Sequence, residues 1–284
     1  MADLREQLRR GARLLMDGAM GTQLQLAGMP VGGCYELWNL SRPEVVTNIH
    51  RSYWEVGARC LNTNTFQANP QALARHGMSE RLEEICEAGL RLAQSVVGED
   101  GFVVASIGPM DISEETAALD RTLQAFASAD ALLLETWTEG FEVAAQRALS
   151  PVCNPNAIPV LISVTYASGL DSVTMPPASL TPGQVAERVS NLGVAGLGVN
   201  CGKDLGKEQI LAVLAGYREV ANVPLFVRPN AGTPRKQNGR WVYPVSPSEM
   251  AAWVPELIQA GVTMIGGCCG TTPGHIAAMR DVLH

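Results

Sequence analysis

The chain has 284 residues, 46% of them hydrophobic and 17% charged, so it can bury one large core, and an α/β barrel of this size is often one domain. Its net charge of −7 gives no electrostatic reason to expect binding to nucleic acid or to an anionic membrane. Seven cysteines, an odd number, argue against a disulfide framework and favour a reducing compartment. The charged N-terminal segment lacks the apolar stretch of a signal peptide, and no stretch approaches a membrane span, so we expect a cytoplasmic protein.

Eight short apolar runs alternate along the chain with segments of helical periodicity. Several runs are apolar on both faces, as expected for parallel strands that are covered by helices. Eight strand–helix units of about 35 residues each predict an α/β fold, a (β/α)8 TIM barrel in which residues 1–284 form one domain. The predicted strands are Leu14–Asp17, Cys60–Phe66, Phe102–Ile107, Ala131–Thr136, Pro159–Tyr166, Gly196–Cys201, Pro224–Asn230 and Val262–Cys268.

Helix signals lie in the intervals between these runs. Capping-box patterns begin at Ser41, Thr181 and Ser246, and those at Thr181 and Ser246 have proline at the first helical position. Apolar residues at helical spacing predict further helices over Leu82–Ala93 and Gln209–Val220. Four histidines fall in helical or terminal segments, where we expect them to be solvated: His50, His76, His275 and His284.

The segment Met264–Gly274 combines two adjacent cysteines with flanking glycines. Neighbouring side chains of a strand point to opposite faces, so Cys268 and Cys269 can face one object only if the chain leaves extended geometry, which glycine permits. A thiophilic metal is one such object, and Cys201, at the end of another apolar run, is the candidate third ligand. Three thiolates with one open position are typical of a catalytic zinc site. From spacing alone, buried thiols that act as small hydrophobes and a vicinal redox disulfide stay open as alternatives.

The predicted barrel brings these residues together, because the active site of such a barrel lies at the carboxyl ends of its strands. Cys201, Cys268 and Cys269 end strands six and eight, which favours a shared metal. Asp17 and Glu135 end strands one and four, where a carboxylate pair could face a cationic ligand. Alternatively, each carboxylate could cap the helix that follows.

Six short motifs occur along the chain in a characteristic order, and together they resemble the homocysteine S-methyltransferase family. They are most similar to the homocysteine-binding module of cobalamin-dependent methionine synthase, and the resemblance runs from about Leu14 to Met279. The motifs are Asp17–Thr22, Asn62–Phe66, Glu135-Thr136, Asn200-Cys201, Pro229–Gly232 and Gly266–Pro273.

The resemblance implies methyl transfer to the thiolate of homocysteine, giving methionine, on a zinc ion. It assigns the zinc ligands to Cys201, Cys268 and Cys269, with the homocysteine sulfur as the fourth ligand. In-line methyl transfer needs positioning and an activated sulfur more than acid–base help, so no histidine is required. The residues that the resemblance assigns to the substrate are Asp17 and Glu135 for the amino group, the backbone N–H groups of Gly18 and Ala19 with the Thr63 region for the carboxylate, and Asn200 beside the zinc ligand.

The methyl donor is predicted from positions at which this chain differs from branches of the family. The betaine-using branch has aromatic residues where this chain has Cys34 and Gln67, and a quaternary ammonium needs such rings for cation–π contacts. We therefore expect a methylcorrinoid as donor, free or carried by a separate protein, because one barrel leaves no room for a corrinoid domain. An S-methylmethionine- or S-adenosylmethionine-dependent enzyme is the alternative within the family. An alternative of another class is a non-catalytic zinc or thiol redox protein in which Cys268 and Cys269 sense oxidants.

Overall fold

The structure is a computed structural model that describes residues 3–112, 116–168, 173–175, 179–237 and 240–283. Eight parallel strands form the predicted TIM barrel in the ring order β1-β8-β7-β6-β5-β4-β3-β2. A parallel bridge between Met16 and Cys60 joins the first strand to the second and closes the ring. The strands are β1 Leu14–Leu15, β2 Cys60–Asn62, β3 Phe102–Ile107, β4 Ala131–Trp137, β5 Val160–Val164, β6 Gly196–Asn200, β7 Leu225–Arg228 and β8 Val262–Ile265.

Helices lie in the intervals between the strands and cover the outside of the barrel. Two short antiparallel ribbons pair Ala167–Ser168 with Val173–Thr174 and Arg235–Gln237 with Arg240–Val242. A single 3-10 turn spans Ser79–Arg81 in the described residues. The α-helices are Leu4–Arg9, Met20–Leu26, Trp38–Ser41, Pro43–Glu55, Pro70–Ala74, Leu82–Gln94, Ala117–Ala125, Phe141–Leu149, Pro182–Ser190, Lys207–Arg218, Pro247–Ala251, Val254–Gln259 and Pro273–Leu283.

The predicted helix starts are right at two of three positions. Thr181 and Ser246 each accept a hydrogen bond from the backbone of the third helical residue, and the capping box is complete in both cases. The prediction at Ser41 is wrong, because Ser41 ends the preceding helix and its hydroxyl donates to the Leu37 carbonyl, while Arg42 holds the cap position. Most predicted strands extend too far at their carboxyl ends, since the polar residues there leave the hydrogen-bonded ladder.

The half of the barrel interior that lies away from the carboxyl ends of the strands is apolar. Side chains from several strands, among them Met16, Leu133, Phe226 and Met264, form one buried cluster inside the ring. Gly198 leaves room for it, because a Cβ there would lie 2.4 Å from the Phe226 ring. A larger apolar cluster fills the space between strands and helices. The apolar filling at one end leaves the carboxyl ends of the strands as the place for polar chemistry.

The histidine prediction is wrong for two residues. His50 is fully buried on the helix Pro43–Glu55, because its ring faces the barrel side of an amphipathic helix, and His275 is also buried. His76 is exposed, as predicted, and His284 lies outside the described residues. Within the part of the chain that the structure describes, no helix is both long and apolar enough to cross a membrane.

Candidate metal centre and substrate pocket

A cavity of about 360 Å³ lies at the carboxyl ends of the strands, opposite the apolar filling of the barrel. Its lining comes from segments that follow β1, β2, β4, β6 and β8, together with residues of the strands themselves. The cavity therefore collects side chains that are far apart in the sequence. The charged and thiol side chains that line it are Asp17, Glu36, Glu135, Arg228, Cys201, Cys268 and Cys269.

Three cysteine side chains converge at one side of this cavity. The Sγ atoms of Cys201, Cys268 and Cys269 all lie within 4.8 Å of one another, and those of Cys268 and Cys269 are 4.0 Å apart. Cys201 has φ 53°, a left-handed conformation that turns the chain out of β6 directly after Asn200. Gly270 has φ 81° and leaves space for the Tyr243 ring, which a Cβ would overlap at 2.0 Å. Both turns are strained or glycine-dependent, and together they direct the thiols to one point.

The three thiols share charge unequally. Hydrogen bonds from Cys268 and Cys269 lower the pKa of Cys201 to about 2. The hydrogen bond to Cys201 raises the pKa of Cys268. A hydrogen bond to Cys201 is also the main reason why the pKa of Cys269 is raised to about 12. The amide of Asn230 adds a contact of 3.6 Å to the Cys201 sulfur. Of the three thiols, Cys201 therefore loses its proton most readily, and metal binding requires all three ligands to be deprotonated.

The donor set fits a zinc ion. Tetrahedral coordination with bonds of about 2.3 Å places two sulfurs roughly 3.8 Å apart, close to the 4.0 Å between Cys268 and Cys269. The three cysteines are partly buried and line the cavity, so a fourth position can be reached from it. All seven cysteines of the chain are free thiols in the structure. The residues present could therefore hold a thiophilic metal with one position open to a ligand.

A second cluster of charged residues lies in the same cavity. Arg228, at the end of β7, donates from Nη2 to Asp17 Oδ1 at 3.0 Å and from Nη1 to Glu135 Oε1 at 2.5 Å. The exposed fractions are 4% for Arg228, 1% for Asp17 and 7% for Glu135. The other Asp17 oxygen accepts the Asn62 N–H at 2.8 Å, and the other Glu135 oxygen accepts the Ser106 hydroxyl at 2.6 Å. Both predicted substrate carboxylates are thus engaged by groups of the protein.

Burial and charge act in opposite directions on this triad. Burial raises the pKa of Asp17 to about 7, while the Arg228 guanidinium holds it below the value that burial alone would give. Burial lowers the pKa of Arg228, but the carboxylates of Glu135 and Asp17 raise it by more, so the guanidinium stays cationic. With all three groups ionised the triad has a net charge of −1.

Backbone geometry explains how Glu135 reaches the cavity. The pairing of β4 with β5 shifts register between Leu134 and Trp137, and Thr136 there has φ 62°. A bulge of this kind turns a side chain out of its regular direction. The amide of Asn200 donates to the Thr136 hydroxyl at 2.7 Å and helps to hold the bulge.

The other predicted substrate residues lie in or beside the cavity. Gly18, Ala19 and Thr63 line the cavity. The Ala19 N–H donates to Thr271 Oγ1 at 3.0 Å, and Thr63 Oγ1 accepts the Ser106 N–H at 3.0 Å, so both have partners in the protein.

Asn200 is buried beside the cavity and is not part of its lining. Its Oδ1 accepts the Ser163 hydroxyl at 2.8 Å, and its Nδ2 binds Thr136. The structure therefore places Asn200 as a brace between β4, β5 and β6.

Sequence reasoning missed Arg228 altogether. A single cation at the end of the apolar strand Leu225–Arg228 was the signal that could have revealed it, because a buried arginine requires carboxylate partners. Asn62 belongs to the motif Asn62–Phe66, and sequence reasoning assigned it no role of its own. Its side chain is buried and lines the cavity, yet neither its Oδ1 nor its Nδ2 has a partner among the described residues.

Two aromatic side chains, Tyr35 and Phe66, also line the cavity. They are the sequence neighbours of Cys34 and Gln67, the positions that the sequence analysis singled out for the absence of rings. Glu36 is buried between these segments and accepts the Gln67 N–H at 2.9 Å, so it ties the two loops together.

The fold and the site together define a class: an α/β barrel with a three-cysteine centre at the carboxyl ends of its strands. The sequence profile of the homocysteine S-methyltransferases matches residues 14–283, and the chain therefore belongs to the homocysteine S-methyltransferase family of enzymes. The resemblance that the sequence motifs indicated is confirmed.

Two curated relatives are methionine synthases. The chain is 33% identical to that of Mycobacterium tuberculosis and 32% identical to that of Mycobacterium leprae, in each case over 92% of this chain. It spans 24% and 23% of the length of those proteins. Among solved structures, the metallated form of the homocysteine methyltransferase MmuM from Escherichia coli matches with a TM-score of 0.78 at 24% identity, covering 99% of both chains. This match shows the same fold.

Proposed function

We propose that the protein transfers a methyl group to the thiolate of homocysteine, with zinc held by Cys201, Cys268 and Cys269. The observation that carries the proposal is the convergence of three thiols within 4.8 Å in the wall of a cavity large enough for a small substrate. The reaction produces methionine. The free state of all seven cysteines supports a reducing compartment, and we propose the cytoplasm as its location.

Zinc, when bound, makes a coordinated thiol a thiolate at neutral pH. The chain contributes the charge that keeps this sulfur reactive. Three thiolates over-neutralise an ion of charge +2, so an added sulfur ligand stays electron-rich. The thiolate of homocysteine would attack the methyl carbon in line, so that an S–C bond forms while the bond between the methyl group and the donor breaks with both electrons left on the donor. The cavity walls hold the two reactants in that line.

The family resemblance also assigns positions to the rest of the substrate. The carboxylate is directed to the turn after β1, where Gly18 lines the cavity, and the amino group to Asp17 and Glu135. In this chain the two carboxylates already hold Arg228. The amino-group position is therefore the part of the assignment that the geometry supports least.

The proposed donor is a methylcorrinoid. The identity of 33% to a methionine synthase over most of the chain supports this choice, as do the motifs that are most similar to the cobalamin-dependent module. A sulfonium such as S-methylmethionine is the second candidate. Tyr35 and Phe66 line the cavity and offer rings to a methylated cation, which is the specific observation in its favour.

Zinc X-ray absorption on the purified, reduced protein, with and without homocysteine, tests the metal part of the proposal. We expect one zinc per chain with three sulfur neighbours, and a fourth sulfur when homocysteine is added. Zinc that gains no sulfur in the presence of homocysteine, with a Cys268–Cys269 disulfide formed under mild oxidation, would favour the redox alternative instead.

An activity panel tests the donor. Homocysteine is supplied with methylcobalamin, with S-methylmethionine, with S-adenosylmethionine or with glycine betaine, and methionine is measured. We expect the highest turnover with methylcobalamin and negligible turnover with betaine. A sulfonium as the best donor would place the chain with the second candidate, and betaine as the best donor would overturn the donor argument.

A further inference from the structure

The Arg228 guanidinium occupies the space between Asp17 and Glu135. It donates one nitrogen to each carboxylate, at 3.0 and 2.5 Å. These two carboxylates are the groups that a substrate ammonium would need, and the protein supplies its own cation to both. Arg228 is more than nine-tenths buried and ends a strand of the barrel, so its guanidinium is held inside the protein and away from solvent.

The remaining carboxylate oxygens are also occupied. Asp17 Oδ2 accepts the backbone N–H of Asn62, and Glu135 Oε2 accepts the hydroxyl of Ser106. An ammonium that entered the site would share oxygens that already have partners, and it would lie close to a like charge in a buried environment. Its contribution to binding is therefore much weaker than at a carboxylate pair without a resident cation.

Polar atoms without a hydrogen-bond partner among the described residues lie nearby. Both side-chain atoms of Asn62 and the Nε of Arg228 have no hydrogen-bond partner among the described residues, and both residues line the cavity. A buried amide without a partner costs free energy unless a ligand satisfies it. The Asn62 amide can donate to a carboxylate or a carbonyl oxygen, which makes this side of the cavity suited to an acidic thiol that has no ammonium group.

We propose that Arg228 sets the acceptor specificity by filling the ammonium position between Asp17 and Glu135, so that the enzyme accepts small carboxylate-bearing thiols without an α-amino group about as well as homocysteine. The inference rests on the proposed function for the role of the cysteine centre. It goes beyond it in the class of acceptor, which widens from an amino acid to short mercapto acids.

The test compares L-homocysteine with 4-mercaptobutanoate, which is the same molecule without the amino group. Dissociation constants are measured by calorimetry on the zinc-loaded full chain, so the test does not depend on turnover or on the donor. We expect the two constants for the wild-type protein to agree within about tenfold. A site that truly paired an ammonium would lose far more, because a site built for polar contacts rejects the analogue that lacks them by as much as about 10⁴-fold.

Substitution of Arg228 gives the second arm. In Arg228→Met the two carboxylates lose their cation, and we expect the preference for homocysteine over 4-mercaptobutanoate to rise at least tenfold. Arg228→Lys keeps the charge with a single point of contact, so an intermediate preference is expected, and it serves if the methionine variant does not fold. The matched control is Arg147→Met, which removes an arginine–Asp120 pair on the outside of the barrel and should leave the ratio unchanged.

Three outcomes would overturn the inference: a wild-type preference for homocysteine above about a hundredfold, failure of both thiols to bind, or a ratio that does not change in any folded Arg228 variant. Failure of the proposed function would give a different experimental result. In that case thiols bind with the expected ratio, but no methyl group is transferred from any donor.

Discussion

The cavity contains two charged clusters that differ in what they lack. The cysteine cluster has three thiols whose sulfur atoms converge within 4.8 Å of one another, and the Arg228 guanidinium in the same cavity makes its two ion pairs with Asp17 and Glu135. The triad of Asp17, Glu135 and Arg228 is already closed, with every carboxylate oxygen bonded. The first cluster could therefore take a metal from outside, whereas the second is complete within the chain.

This difference shows that similar positions at strand ends can serve opposite purposes. A cluster of acids or thiols becomes a binding site only if the fold leaves its charge unpaired. One residue of β7, Arg228, makes that difference for the carboxylates. Substitutions that open the closed cluster or remove ligands from the open one test the comparison directly.

The largest effect is expected at the open cluster. Cys201→Ser, Cys268→Ser or Cys269→Ser should each remove bound zinc and abolish methyl transfer, because a hydroxyl is a poor ligand for a thiophilic metal. The barrel should stay folded, with a free energy of unfolding within about 2 kcal/mol of the metal-free wild type, since the cysteines lie at the rim. Zinc content by elemental analysis and circular dichroism check both parts.

Cys153→Ser is the matched control, because Cys153 is a buried thiol far from the cavity lining and its sulfur contacts Asp120. It should keep zinc and activity. Normal activity of Cys201→Ser in the absence of zinc would show that methyl transfer does not require the metal.

The next effect concerns the closed cluster of Asp17, Glu135 and Arg228, whose disruption should lower the free energy of unfolding. Arg228→Met leaves two buried carboxylates without a cation, which is expected to cost about 3–5 kcal/mol at pH 8. The loss should shrink at pH 5.5. The pKa of Asp17 is about 7 in the wild type, and removal of the guanidinium raises it further, so the variant takes up a proton and its repulsion falls as pH decreases.

Urea unfolding at the two pH values measures this. Arg147→Met, at a partly exposed pair on the outside of the barrel, should cost no more than about 1 kcal/mol at either pH. An equal loss for Arg228→Met at both pH values would show that packing, rather than charge, explains the effect.

Much of this site follows from residue type and strand order. The three cysteines could be placed together because the strand-end rule needs only the sequence of strands, and the glycines beside Cys268 and Cys269 indicated the turn. Arg228 could not be placed, because its partners are 93 and 211 positions away and the direction of its side chain depends on how the ring closes. The bulge at Thr136 was equally hidden, since tertiary pairing, and not local sequence, creates it.

Asn200 connects the two clusters and gives the next prediction. It precedes Cys201, one of the proposed zinc ligands, and its amide donates a hydrogen bond to Thr136, which follows Glu135. Asn200→Ala leaves the hydroxyls of Ser163 and Thr136 without this partner, for an expected loss of about 2–3 kcal/mol in the free energy of unfolding. Homocysteine affinity should change less than threefold, because Asn200 does not line the cavity.

Denaturant unfolding and calorimetry check these two values, with Asn156→Ala as control. Asn156 donates to Ala127 on the surface, and its substitution should cost well under 1 kcal/mol. A large loss of homocysteine affinity in Asn200→Ala, with stability unchanged, would make Asn200 a substrate-binding residue.

The smallest effect concerns a buried titratable group outside both clusters. His50 has no partner for either ring nitrogen among the described residues, and burial lowers its pKa to about 4. In the unfolded chain a histidine has a pKa of about 6.5, so between these values the unfolded state binds more protons and stability falls as pH decreases. The difference between pH 7.5 and pH 5 is about 2 kcal/mol for this one group.

His50→Leu should remove that dependence, because leucine fills a similar volume and does not titrate. Asp17 acts with the opposite sign in the same range: its folded pKa is raised to about 7, so its ionisation opposes folding as pH rises from about 4 to 7. In the wild type the contributions of His50 and Asp17 to the pH dependence of stability therefore partly cancel. The variant keeps only the Asp17 contribution of the two, so it should be more stable at pH 5 than at pH 7.5. His76→Leu, at an exposed position, should leave the wild-type profile unchanged. If the free energy of unfolding changes by the same amount between the two pH values in His50→Leu and in the wild type, His50 does not titrate as the structure implies.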